Sequence, residues 1–237
     1  MKNKKVIIYI LVIIIILFLI SILIINSIKT RNNHLKFKTE YESLNNKTAF
    51  KDTKYREITI PKDNPFIYSS MEEVIDKMDK KQTFIVYFGA NWCPWCRSVI
   101  NTFIDISKEN NIDKVYYIDV RKDNNMDNEI RNVYSLDNRS NIYLSHKGTE
   151  AYNKFIDRAS DILPAYSHGD VKSLEGTKYQ GEKRVGAPNF IIIKKGEPTY
   201  MTTGISKKQT EPTMKLTKEI KKDTENKFKK FYKIYKK

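Results

Sequence analysis

Trp92-Cys93-Pro94-Trp95-Cys96 holds the only 2 cysteines of a 237-residue chain, and what flanks them decides the fold. Upstream runs Phe84-Ile85-Val86-Tyr87-Phe88, an unbroken apolar stretch with the length and the β-branched and aromatic content of a strand buried on both faces. Downstream, residues 97–108 set Val99, Ile100, Phe103, Ile104 and Ile106 at helical spacing. The cysteines therefore stand where a central strand turns into a helix. The unpaired N–H groups and positive end of that helix stabilise a thiolate, which predicts a lowered pKa and a nucleophilic role for Cys93. Cys96 lies one turn further in on the same face, placed to close a disulfide with Cys93 or to resolve a mixed disulfide that Cys93 has formed.

Rival readings of the pair are weaker. Structural thiols in a core are inert, and cores rarely set them around a proline between tryptophans at a helix start. A zinc site needs about four ligands, and beyond the cysteines the chain has only His34, His146 and His168, none at ligand spacing to them. Haem attachment requires His after the second cysteine, where Arg97 stands. Redox chemistry without a metal or other cofactor is the expectation.

The chain opens with a short head, residues 1–5, and then residues 6–25 form a run of Ile, Leu, Val and Phe interrupted only by Tyr9 and Ser21. As a helix it is about 30 Å long, enough to cross a bilayer's hydrocarbon core. A cleaved signal peptide would carry a shorter apolar region followed by small residues, and Ile25-Asn26-Ser27-Ile28 is a poor cleavage site. The run reads as an uncleaved single-pass anchor. Lysines flank it on both sides, so charge alone leaves the orientation open. The absence of a spare thiol and the usefulness of a catalytic dithiol in an oxidising compartment favour a soluble domain outside the cytoplasmic membrane.

Residues 26–54 are polar, without a sustained period, and read as a stalk. The domain spans 55–237. Residues 55–60 suit a short strand, 61–65 a loop, and Ser70-Met71-Glu72-Glu73 a capping box opening a helix. Residues 115–120 suit the strand after the cysteine helix, so strand and helix alternate and parallel neighbours follow: an α/β sheet. Residues 189–193 and 198–202 form a hairpin around Lys194-Lys195-Gly196-Glu197. Residues 212–237 read as a helix with Leu216, Ile220, Phe228, Phe231 and Tyr235 near one side. Lysines on its other faces suit solvent, or alternatively anionic lipid or wall polymer.

From residue 55 to the end the chain resembles the thioredoxin superfamily. The resemblance rests on the strand into Trp-Cys-x-x-Cys, on Asp119 near the end of the next strand, and on Gly186-Ala187-Pro188-Asn189 before the strand after it. The Gly196 hairpin and Gly204 before the last helix also match. It implies a thioredoxin-like fold in which a cis peptide bond precedes Pro188 and the backbone at Ala187 pairs with substrate like an added strand. It also implies substrate contacts from Trp92, Pro94 and Trp95. Pro94-Trp95 departs from the Gly-Pro usual in thioredoxins. The stretch from Asp119 to Pro188 is far longer than a minimal thioredoxin needs, and residues 126–134 and 149–163 look helical. The expectation is a helical insertion over about 124–184. In outline the chain is also similar to membrane-anchored bacteriocin transport accessory proteins.

Basic side chains number 43 against 28 acidic ones, giving a formal charge of +15. Nucleic acid is the reflex partner of such a chain, but a membrane span and no recognised nucleic-acid-binding pattern argue against it. Two functions follow. One is a membrane-anchored thiol-disulfide oxidoreductase acting on cysteine-containing exported proteins or peptides, served by a membrane redox partner. The alternative is a non-catalytic adaptor for peptide export or a transporter.

Overall fold

The structure, a computed structural model, describes residues 2–49 and 53–237, with side chains from Tyr9 onward outside the gap. Its centre is a five-stranded mixed sheet in the order β1-β3-β2-β6-β7. These strands are β1 (Phe66–Tyr68), β2 (Phe84–Gly89), β3 (Val115–Asp119), β6 (Asn189–Lys194) and β7 (Glu197–Thr202). β1 and β2 flank β3 in parallel, whereas β6 pairs antiparallel with both β2 and β7. Every residue of β2 is buried, as its unbroken apolar sequence requires.

Helices cover both faces. On one side α2 (Met71–Asp79) packs with α4 (Glu150–Ala159), and Phe155 of α4 lies 5.1 Å from Phe88. The capping box at α2 is formed by Ser70 and Glu73. On the other side α3 (Pro94–Glu109) packs with α5 (Lys218–Tyr235), around Phe103, Phe190 and Phe228. The hairpin turn between β6 and β7 needs Gly196, at φ +85°, because a Cβ there would sit 2.1 Å from the carbonyl oxygen of Met78.

Four sequence expectations are corrected. The polar stalk expected over 26–54 does not stand apart from the domain: α1 (Lys2–Glu42) runs unbroken out of the apolar segment and ends in the core, with Phe37 and Tyr41 fully buried. Phe37 stacks on Tyr41 at 4.2 Å and on Phe66 at 4.1 Å. Residues 50–52 of that expected stalk lie outside the described residues. Residues 55–60 join no ladder, because side chains of Glu42 at the end of α1 and of Asn45 just beyond it take their backbone groups. Asn45 bonds both the N–H and the C=O of Ile58, and Glu42 Oε1 accepts from Ile60 N–H at 2.7 Å.

Residues 126–134 are not a helix. One 3-10 turn, Met126–Asn128, gives way to β4 (Val133–Leu136), which pairs antiparallel with β5 (Ile142–His146). Asn125 turns its side chain back to accept from Asp127 N–H at 3.0 Å, the local competition that makes Asn and Asp poor helix formers. The inserted segment is therefore largely a hairpin and loops around Tyr134, Tyr166, Val171 and Leu174, and α4 within it belongs to the main sheet's helical layer. At the C-terminal end Leu216 precedes α5, which starts after the N-cap Thr217.

Among the described residues one helix is long and apolar enough to cross a membrane, Tyr9–Glu42. Its apolar part is exposed all round, consistent with a single-pass anchor or a signal sequence.

Candidate active site

Strand β2 delivers the chain to the sheet's edge of loops, and α3 begins at once. Cys93 is its N-cap, Pro94 its first residue, where a missing N–H costs nothing. Cys93 Sγ accepts the N–H of Cys96 at 3.4 Å. The Cys93 thiol is held below its ordinary pKa, first by a hydrogen bond from Cys96, against burial, and further by the N–H groups of the first turn and the charge of Arg131. Cys96 is fully buried, and burial together with Cys93 pushes its thiol well above the ordinary range. The two sulfurs thus differ: a buried but more readily ionised one lining the cleft, and one held protonated behind it. Neither sulfur is in a disulfide.

The loop before β6 closes over the pair. The Ala187–Pro188 bond is cis, and the Ala187 carbonyl accepts from Cys93 Sγ at 3.3 Å. Trp92, Cys93 and Ala187 line one cleft of about 380 Å³. Pro94, Trp95 and Pro188 do not line it; the two former are half-buried and Pro188 is buried beneath.

Behind Cys96 stands Tyr87, fully buried and hydrogen-bonded to the Cys96 thiol, with its own pKa raised by burial and by Cys96. Its hydroxyl meets that of Tyr41 at 3.0 Å. Gly89 leaves the space for this ring: a Cβ there would lie 2.3 Å from the Tyr87 ring end. Arg97, next after Cys96, is a buried cation with no acid against it among the described residues. It donates to the Tyr41 carbonyl at 2.5 Å, to Asn45 Oδ1 at 2.6 Å and to the Arg56 carbonyl at 2.7 Å.

Sequence reading missed the opposite wall of the cleft. Arg121 lies over the Trp92 ring, 4.5 Å from its centre, while the Trp92 indole N–H donates to the Arg121 carbonyl at 2.8 Å. Arg131 and Arg184 come from the inserted segment, as does His168. No local pattern announces them, because 121, 131, 168 and 184 meet only through tertiary folding. Among the described residues no three His, Cys, Asp or Glu side chains converge as metal ligands.

No family model matches the chain, and no curated protein does. Among solved structures it is similar to thioredoxin O2 from Arabidopsis thaliana in its oxidized state. The match has 16% identity and a TM-score of 0.30, and covers 60% of this chain and 85% of that one.

Proposed function

We propose that the chain is a thiol-disulfide oxidoreductase of thioredoxin-like fold, held to a membrane by α1 and acting outside the cytoplasm on cysteine-containing exported proteins or peptides. The observation that carries this reading is the asymmetry of the dithiol: Cys93 as N-cap at a cleft mouth with its thiol easily ionised, Cys96 sealed behind it with its thiol held protonated. In the reducing direction the Cys93 thiolate attacks one sulfur of a substrate disulfide. A mixed disulfide forms and the other substrate sulfur leaves as a thiolate that takes up a proton. Cys96 then loses its proton and attacks Cys93 Sγ, which closes the Cys93–Cys96 disulfide and frees the second substrate thiol. Two electrons have passed to substrate, and a membrane redox partner restores the dithiol. Running the steps backward oxidises substrate instead. The backbone at Ala187 lies against Cys93 and is the edge along which an extended peptide would pair.

The test is a pair of variants of the full chain in neutral detergent. Cys96→Ser should accumulate a mixed disulfide on Cys93 that reductant releases, and Cys93→Ser should abolish disulfide turnover. A Cys93→Ser chain that retains full function in cells would favour the adaptor reading instead.

A further inference from the structure

The cleft beside Cys93 carries more positive charge than its own acids neutralise. Glu129, fully buried, is gripped on both oxygens by Arg131, with Nε to Oε1 at 2.6 Å and an amino nitrogen to Oε2 at 2.8 Å. That pair is complete. Arg121 and Arg184 each stand a further 3.9 Å from the same Oε2, too far for a hydrogen bond. Among the described residues Arg121 Nε and one amino nitrogen of Arg184 are buried without a hydrogen-bond partner, and the Arg184 side chain is only 5% exposed. His168 adds no charge, since burial and the neighbouring Arg184 and Arg131 push its pKa down to about 4. Among the described residues no carboxylate lines the cleft, yet three guanidinium groups do. A buried guanidinium with a free donor is costly unless something fills it, and a carboxylate matches its fork best.

We propose that the arginine wall holds a carboxylate carried by the substrate beside its reacting sulfur, so that the preferred substrates are cysteine peptides with an acidic group flanking the disulfide. This rests on the oxidoreductase reading for its substrate, but the anion site stands on its own geometry. At about 380 Å³ the cleft is at the small end of ligand-sized pockets, room for one or two residues next to the sulfur. Arg121 ties the two halves together, because the same residue stacks on Trp92, the neighbour of Cys93.

The first experiment needs no turnover. Cys93 in the full-length chain, in neutral detergent, is alkylated by iodoacetate and by iodoacetamide. Both reagents consume the thiolate, form a C–S bond and release iodide, and they differ only in the carboxylate. The ratio of their rate constants cancels thiolate fraction. It should exceed that of the urea-unfolded chain by about tenfold, and fall with added salt. Arg184→Gln and Arg121→Gln should each lower it about fivefold, while Arg184→Lys and Arg121→Lys keep most of it. A native ratio equal to the unfolded one, or one untouched by both Gln variants, overturns the proposal.

The second experiment separates the sources of the carboxylate. Short peptides activated as 2-thiopyridyl disulfides carry an Asp beside Cys with an amidated end, a neutral neighbour with a free C-terminal carboxylate, or a Lys with an amidated end. Cys93 should release thiopyridone fastest from one of the two anionic peptides, and the faster names the source. A Lys peptide reacting as fast as both sinks the proposal. Absent disulfide turnover with the alkylation ratio intact would fail the oxidoreductase reading alone. Turnover with a flat ratio would fail this inference alone.

Discussion

In the proposed dithiol cycle, Tyr87 is placed to influence the second half, since it stands against the sulfur that would lose a proton there. Its hydroxyl, itself in contact with Tyr41, gives the Cys96 sulfur a hydrogen bond that favours the thiolate against burial. Tyr87→Phe should therefore raise the Cys96 pKa and slow decay of a preformed Cys93 mixed disulfide about tenfold near neutral pH, with the rate still climbing as pH rises. Unchanged decay would show that water or another group carries the proton. Cys93 behaves oppositely. Reduced full-length protein given limiting iodoacetamide should be alkylated at Cys93 and not Cys96, and the rate should level off at lower pH than that of the unfolded chain, because the thiolate forms through a depressed pKa. Preferential labelling of Cys96 would reverse the assignment. The unbroken apolar run of the strand was enough to foresee that Tyr87 is buried. Tyr41 was invisible because it lies in a segment that looks polar, far along the chain from its partner Tyr87.

Among the elements, the distal half of α1 was the least legible. Phe37 and Tyr41 are only two apolar residues at i,i+4, too few to show a period, while the Lys36–Glu40 and Lys38–Glu42 pairs that brace the same turns read as ordinary surface charge. Phe37→Ala should cost about 3 kcal/mol in urea unfolding of the detergent-held chain, an effect a tether outside the core would not show. β2, α3 and the β6–β7 hairpin were legible because each is announced by a local period or turn. Amphipathic α4 was also visible, but periodicity does not say which surface it meets. The end of β3 adds a pH-dependent term. The Asp119 carboxyl is pushed up to about 6, chiefly by burial and then by Glu40 of α1 and Asp123. The folded chain then keeps a proton that the unfolded chain releases near the ordinary carboxylate value, so stability falls as pH rises toward about 6 and stays lower above it. Asp119→Asn removes that loss and should stabilise the protein by about 1–2 kcal/mol at pH near 7.5 and by almost nothing near pH 4. Equal gains at both values would place the effect elsewhere than in titration.

For the whole molecule, the anchor reading predicts that the chain stays with membranes after alkaline carbonate washing. It also predicts that a membrane-impermeant maleimide labels Cys93 in intact cells; labelling only after lysis would put the domain on the cytoplasmic side. The arginine cleft could not be read at this scale from sequence, because its wall is gathered from residues far apart in the chain. Arg97 shows how closely the chain's parts are joined: one guanidinium, next to Cys96, holds the Tyr41 carbonyl near the end of α1 and the Arg56 carbonyl. From residue 25 to Phe37 the helix advances about 18 Å with no break. With its apolar run in a bilayer, such a helix has no slack. The dithiol would ride at a set altitude above the lipid like a stylus on a rigid arm, sweeping a thin layer parallel to the surface. Its encounters would then be a two-dimensional search, with molecules still emerging at that surface met before any that had diffused away.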